Sequence, residues 1–130
     1  MGVKYLWDTN TVIYYLQNNF LPAGEKLIDN IVDNYQPAIS VITEIELLCW
    51  PSSNEDDILL LKNFISKCVV YELDNAIKLK TIEIRKQFKL KLPDAIIAAT
   101  AIANDYFLIS RNAADFAKIS SLSLLNPFLN

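Results

Sequence analysis

Residues 92–110, LPDAIIAATAIANDYFLIS, contain the pattern that decides the fold. After Pro93 the segment is almost wholly apolar as far as about Asn104, which predicts a helix that is buried nearly all round. Tyr106–Ser110 follows directly, and its short aromatic and aliphatic run predicts a strand. A buried helix that leads into a buried strand is the repeating unit of an α/β protein with a parallel sheet.

The same alternation extends from this segment towards both ends of the chain. The predicted strands are Val3–Trp7, Pro37–Ile39, Cys68–Leu73, Tyr106–Ser110 and, as a possible final strand, Leu122–Leu125. Seven helices are predicted between and beside these strands. The first three run from Asp8 through Leu16, from Leu21 and Pro22 to near Asn34, and from the cap Ser40 to Cys49 before Pro51. The other four run from Ser53–Asp56 through Phe64, from Asp74 or Asn75 through Phe88, over 92–104, and over Asn112–Phe116. We therefore predict one α/β domain spanning residues 1–130, an α/β/α sandwich with a mainly parallel sheet of four or five short strands flanked by helices.

Composition excludes several classes of protein. No apolar run approaches the roughly 20 residues that cross a bilayer, and the first ten residues lack the apolar core of a signal peptide, so a cytoplasmic protein without membrane contact is expected. Cys49 and Cys68 lack metal-ligand spacing and are predicted to be buried thiols. Cys49 is placed with Ile42 and Ile45 on the apolar face of its helix.

The chain contains no histidine, which excludes histidine as a general base and imidazole-bound zinc. Carboxylate chemistry remains, and with it a hard cation such as Mg²⁺ or Mn²⁺. The net charge of −3 argues against a simple nucleic-acid binder, but residues 78–91 hold six of the twelve basic residues and one acid, a local charge of +5. A basic surface segment is therefore expected just before residue 94.

Acidic residues stand where a parallel sheet gathers a site, just after a strand or in the first turn of a helix. Asp8, Asp94 and Asp115 occupy such positions, and each of them could also be an ordinary helix-terminal residue. Asp115, three residues after Asn112, also fits a capping box. A fourth acid comes from the Ser40 helix, where periodicity does not choose between Glu44 and Glu46. If these acids converge they repel one another, and a divalent cation would relieve that repulsion.

Four motifs make the chain resemble the PIN-domain family over essentially its whole length, and most closely the VapC-type toxins of bacterial toxin-antitoxin pairs. They are Asp8-Thr9-Asn10 in LWDTNTVIYYL, Ser40-x-x-Thr43-x-x-Glu46-Leu47 in ISVITEIELL, LPDAIIAATAIAND around Asp94, and LISRNAADF around Asp115. The second motif selects Glu46 over Glu44. Ser110 stands where the family often has threonine, and CWPSS follows Leu47 where many relatives turn through glycine.

The resemblance implies a PIN-like fold and a metal-dependent endoribonuclease that hydrolyses RNA phosphodiester bonds with one or two Mg²⁺ or Mn²⁺ ions. Its catalytic and metal-binding residues would be Asp8, Glu46, Asp94 and Asp115, supported by Asn10, Thr43 and Asn112. It also implies a cognate antitoxin and a homodimer. From the charge pattern we expect Arg85, Lys86, Lys89 and Lys91 to guide phosphates, unless this stretch is only a solvated helix face.

Two alternatives remain open. One is a non-catalytic interaction module that kept the fold and uses its acids as helix caps. The other is a haloacid-dehalogenase-like phosphatase with Asp8 as nucleophile, since Asp8-Thr9-Asn10-Thr11-Val12 approximates that family's D-x-D-x-T/V motif. Asn10 counts against it, because an amide does not perform the acid-base work of the second aspartate.

Overall fold

Parallel strands form the centre of the molecule in the computed structural model, which describes residues 3–51 and 54–128. The strands of the described residues are β1 Tyr5–Trp7, β2 Ala38–Ser40, β3 Val69–Tyr71, β4 Phe107–Ile109 and β5 Ser123–Leu125. They lie in the order β3-β2-β1-β4-β5, and every neighbouring pair is parallel. This confirms the predicted parallel α/β fold, with the possible final strand present as β5.

Helices connect the strands and cover both faces of the sheet. In the part of the chain that the structure describes they are α1 Thr9–Leu16, α2 Pro22–Asn34, α3 Val41–Leu48, α4 Glu55–Lys67, α5 Asn75–Gln87, α6 Leu92–Ala103 and α7 Ala113–Phe116. Short polar side chains begin four of them by accepting a hydrogen bond from a first-turn backbone N–H, as Asp8, Ser40, Asn54 and Asp74 do. Ser53, predicted at the start of α4, lies outside the described residues.

Two apolar cores sandwich the sheet because successive residues of a strand point to opposite faces. In β1, Leu6 packs into the core formed with α5 and α6, whereas Trp7 packs into the core formed with α1 to α4. Leu108 and Ile109 of β4 divide between the two cores in the same way. Helix α6 is covered along residues 95–101, as its apolar sequence predicts. The result is the α/β/α sandwich expected from the sequence.

The strand order places a site between β1 and β4. The chain moves from β1 outwards through β2 to β3, and then returns to the other side of β1 to add β4 and β5. Ligands of open parallel sheets bind at such a switch point, outside the carboxyl ends of the strands. Trp7 and Ile109 are register partners at that end, so Asp8 and Ser110 leave the sheet side by side.

The prediction that Ile42, Ile45 and Cys49 form the apolar face of α3 is wrong. The buried residues of this helix are Thr43 and Leu47, whereas Ile45 is 53% exposed and Cys49 is exposed. The prediction failed because a buried polar residue, Thr43, breaks the apolar periodicity. Cys68 is partly buried, and burial raises the pKa of its thiol to about 12. Across residues 3–51 and 54–128, no helix has the length and apolarity to cross a membrane.

Candidate active site

Asp8 is the most firmly held acid of the site. It is 6% exposed and caps α1, where its Oδ1 accepts a hydrogen bond from the Thr9 backbone N–H at 2.8 Å. Its Oδ2 accepts a hydrogen bond from the Ser110 hydroxyl at 2.7 Å. Burial nevertheless raises the pKa of the Asp8 carboxyl, against these two hydrogen bonds, and nearby Glu46 adds to the rise.

Ser110 connects the two central strands at their carboxyl ends. Its side chain is fully buried, and besides donating to Asp8 its Oγ accepts a hydrogen bond from the Asn112 backbone N–H at 3.0 Å. Asn112 itself begins α7 without a side-chain cap. The side-chain amide of Asn112 therefore does not take the capping-box role that the sequence allowed.

Glu46 reaches the site from α3 through a contact with α1. The Thr9 hydroxyl donates to Glu46 Oε1 at 2.6 Å and lies 3.1 Å from the buried Thr43 hydroxyl. Glu44 faces the other way, since its charge acts on Cys68. The structure thus brings Glu46, and not Glu44, towards Asp8.

Asp94 is the acid at which all four charges meet. It lies in the first turn of α6, behind Pro93, and is partly buried. Burial contributes most to raising the pKa of its carboxyl, followed by repulsion from Asp8 and Glu46 and, more weakly, from Asp115. Lys91 partly offsets these effects. Four acids from four different helices or helix caps therefore lie close enough, beyond the carboxyl ends of the strands, for the charges of the other three to act on Asp94.

Asp115 is the most loosely held member. It belongs to the short helix α7, and its side chain is 49% exposed. Lys118 Nζ lies 3.7 Å from its Oδ1, an exposed ion pair of the kind that contributes about 0–1 kcal/mol. Asp115 can therefore move relative to Asp8 at little cost.

The donor chemistry of the four acids fits a hard divalent cation, because Mg²⁺ and Mn²⁺ prefer carboxylate oxygens. Burial raises the pKa of Asp8 and Asp94, their like charges add to the rise, and Lys91 offsets only part of it at Asp94. The spacing is wider than a coordination shell: among residues 3–51 and 54–128, no three acids or thiols stand close enough to enclose one ion. The residues fit the ion by type, and their side chains would have to draw closer to bind it.

The basic stretch is divided in its local roles. The guanidinium of Arg85 donates to the Leu90 carbonyl oxygen at 2.5 Å, so it holds the connection between α5 and α6. Lys80 forms an ion pair with Glu83 at 3.2 Å. Lys86 and Lys89 are exposed, and Lys91 stands close enough to act on Asp94. The structure therefore gives Arg85 a structural contact and leaves Lys91 nearest the acids.

Sequence reasoning gave no role to three residues of this region. Thr9 holds Glu46, Ser110 holds Asp8, and Arg111 lies against the ring of Tyr14 with its guanidinium carbon 5.3 Å from the ring centroid. The available signal was position, since all three lie within two residues of the end of a strand. Hydroxyl and guanidinium groups at such positions need a partner, and the partners lie far away in the sequence.

Comparison with known proteins finds relatives of the whole domain. The family model described as PIN domain matches residues 5–122. A toxin-antitoxin complex from Klebsiella pneumoniae is 28% identical, with a TM-score of 0.73 over 98% of this chain and 100% of that chain. VapBC-1 from nontypeable Haemophilus influenzae is 25% identical, with a TM-score of 0.78 over 96% and 98% of the two chains. DNA-bound VapBC from Salmonella typhimurium is 24% identical, with a TM-score of 0.80 over 97% and 99%.

No curated protein sequence matches the chain significantly. The family model nevertheless covers the strands β1 to β4 and all four acids, and it ends just before β5. The structural neighbours are matched over nearly their full length, so the likeness extends to the whole domain rather than to a shared motif. The chain therefore belongs to the PIN domain family.

Proposed function

We propose that this protein is a metal-dependent endoribonuclease and the toxin of a VapBC-type toxin-antitoxin pair. The observation that supports it best is that Asp8, Glu46 and Asp115 lie close enough to Asp94 for their charges to add to the rise that burial causes in the pKa of its carboxyl. Helix caps need no such convergence, since each cap requires only its own helix terminus. A site that binds a divalent cation and a phosphodiester does require it.

The proposed cofactor is one or two Mg²⁺ or Mn²⁺ ions held by Asp8, Glu46, Asp94 and Asp115. Such an ion, when bound, supplies Lewis acidity towards the scissile phosphate and the attacking water. Asp8 is fixed by its two hydrogen bonds, so adjustment falls to the exposed Glu46 and the half-exposed Asp115. Formal arithmetic gives a charge of −3 + 4 = +1 for the protein with two ions, which removes the net repulsion of RNA.

The remaining groups of the site orient the acids and the substrate. Ser110 and the Thr9 backbone direct the two oxygens of Asp8, and the Thr9 hydroxyl directs Glu46. The Thr43 hydroxyl, which lies 3.1 Å from the Thr9 hydroxyl, supports the contact between Thr9 and Glu46. The exposed Asn10 and the partly exposed Asn112 remain available to the scissile phosphate. Among the basic residues, Lys91 is best placed to attract it, because its charge acts on Asp94. Lys86 and Lys89 are exposed earlier in the same basic stretch, and Arg85 contributes charge only.

The proposed antitoxin would cover the four acids and an adjoining apolar surface. Helix α3 carries Glu46 together with Ile45 and Leu48, which are 53% and 54% exposed, and Trp50 beyond its end is 43% exposed. A pocket beside Trp50 is lined by Ile13, Leu16, Gln17, Trp50, Asp57, Leu60 and Leu61. A segment with apolar and basic residues would match this surface in both polarity and charge. We also propose that the protein is cytoplasmic. We further propose that it forms a homodimer, and gel filtration at micromolar concentration would test this oligomeric state.

The first experiment compares cleavage of a structured RNA pool by the wild type, Asp8→Asn and Asp94→Asn, each with Mg²⁺, with Mn²⁺ and with EDTA. Asp33→Asn is the matched control, because Asp33 is exposed near the end of α2, at the edge of the sheet opposite the acids. We expect metal-dependent cutting in the wild type and the control, and its loss in the other two variants. Equal background cutting in every sample would contradict the proposal and leave a binding module.

A further inference from the structure

Arg111 is a cation that the structure holds in place without neutralising it. Its guanidinium lies 5.3 Å from the ring centroid of Tyr14 and 5.9 Å from that of Phe128, and it donates a hydrogen bond to the Tyr14 hydroxyl. The two rings contact each other edge to face, with centroids 5.0 Å apart. Within residues 3–51 and 54–128, no acid forms an ion pair with Arg111. Its charge is therefore ordered and available to an anion.

The position of Arg111 puts this charge beside a residue that holds Asp8. It directly follows Ser110, which binds Asp8. Its partner Tyr14 lies four residues after Asn10 in α1, so the two side chains share one face of that helix.

Packing against the two rings leaves most of the donors of Arg111 unused. A guanidinium stacks on aromatic rings through its face, whereas the exposed Arg111 carries five N–H donors, of which the hydrogen bond to Tyr14 uses one. A guanidinium presents its donors in a planar fork that fits a phosphate. Because the rings and the hydroxyl already order the side chain, binding a phosphate loses less conformational entropy than it would at a free lysine.

We propose that Arg111 binds an RNA phosphate flanking the scissile one, with Tyr14 and Phe128 fixing the direction of its guanidinium. This inference rests on the proposed ribonuclease function, since it assigns one contact of that substrate. It makes Arg111 a substrate-binding residue separate from the basic stretch of α5. The contact is to the backbone, so it adds affinity without base preference.

The test measures binding of a fluorescent, single-stranded RNA of mixed sequence by anisotropy, on an Asp94→Asn background and at fixed Mg²⁺. Each phosphate contact adds about 0.7 to the slope of log affinity against log salt for single strands. Arg111→Ala should lower this slope by about 0.7 and weaken binding about tenfold. Arg111→Lys should keep the slope and lose part of the affinity, because it retains the charge without the planar fork.

Lys67→Ala is the control, since Lys67 is an exposed cation at the end of α4. It lies next to the amino end of β3, whereas the acids follow the carboxyl ends of the strands. It should change neither slope nor affinity. Tyr14→Phe, which keeps the ring and removes the hydroxyl, should weaken binding at an unchanged slope. An unchanged slope in Arg111→Ala, with RNA still bound, would overturn this inference and leave the ribonuclease proposal intact. If the parent binds no RNA at all, both proposals fail.

Discussion

Replacing Ser110 with alanine tests how much a buried hydrogen bond stabilises the carboxylate form of Asp8. The Ser110 hydroxyl is fully buried, donates to Asp8 Oδ2 at 2.7 Å and accepts from the Asn112 N–H at 3.0 Å. A hydrogen bond to a charged group contributes about 1.5–3 kcal/mol, and one between neutral groups about 1 kcal/mol. Ser110→Ala should therefore lower the free energy of unfolding by about 2–4 kcal/mol at neutral pH. For a domain of this length that corresponds to a fall in Tm of roughly 8–16 °C.

The pH dependence separates the lost hydrogen bond from the small cavity that alanine leaves. The Ser110 hydrogen bond lowers the pKa of Asp8, against the larger effect of burial, because it stabilises the carboxylate. Its contribution is present while Asp8 is ionised and is lost as the pH falls through the pKa of Asp8. The difference between wild type and Ser110→Ala should thus be largest near pH ~8 and shrink as the solution is acidified.

Urea denaturation of both proteins over that pH series is the assay. Ser120→Ala is the matched control, since Ser120 is exposed and its truncation should leave the free energy of unfolding unchanged within about 0.5 kcal/mol. A loss of the same size at every pH would refute the electrostatic reasoning and indicate a packing effect. A loss no larger than that of the control would show that the Asp8 carboxylate does not depend on Ser110.

Other changes test the acids, the α5–α6 connection and the chain end. Asp94→Asn should raise the Tm of the protein in EDTA at neutral pH, because the raised pKa of Asp94 means that its ionised form costs stability. The difference in Tm should vanish in acid below the ordinary carboxyl pKa of 3.8, and calorimetry over a pH series measures it. Arg85→Ala should lower the free energy of unfolding in urea by about 1 kcal/mol, because the Leu90 carbonyl loses its donor. Gly24→Ala should lower it by about 1–3 kcal/mol, since a Cβ there would come within 2.0 Å of the Pro127 carbonyl oxygen.

The sequence predicted the parts of the fold that local chemistry decides. Asp8, Ser40 and Asp74 cap their helices because their side-chain oxygens satisfy first-turn N–H groups, and this can be predicted within four residues. The apolar run of α6 predicted its burial, because such a surface is stable only against other apolar groups. Strand ends were less certain by one or two residues, since only the pairing itself defines them.

The contacts that assemble the site were not predictable in this way. Thr9 and Glu46 are 37 residues apart, and Asp8 and Ser110 are 102 apart, so neither pair leaves a periodic signal in the sequence. The choice of Glu46 over Glu44 came from the family motif, and the structure gives the physical reason in the Thr9 hydroxyl. Which acids face one another depends on the strand order, which local patterns do not encode.

The way in which the acids are held points to a site rather than to four separate caps. Asp8 and Asp94 both have raised pKa values, so their ionised forms reduce the stability of the fold in the absence of a cation. An asparagine would cap α1 about as well as Asp8 does, without that loss. The more exposed acids, Glu46 and Asp115, have little to hold them beyond the Thr9 hydroxyl and the Lys118 ion pair. One fixed acid, one partly buried acid and two exposed ones can close around a cation, and a bound cation would convert their repulsion into binding energy.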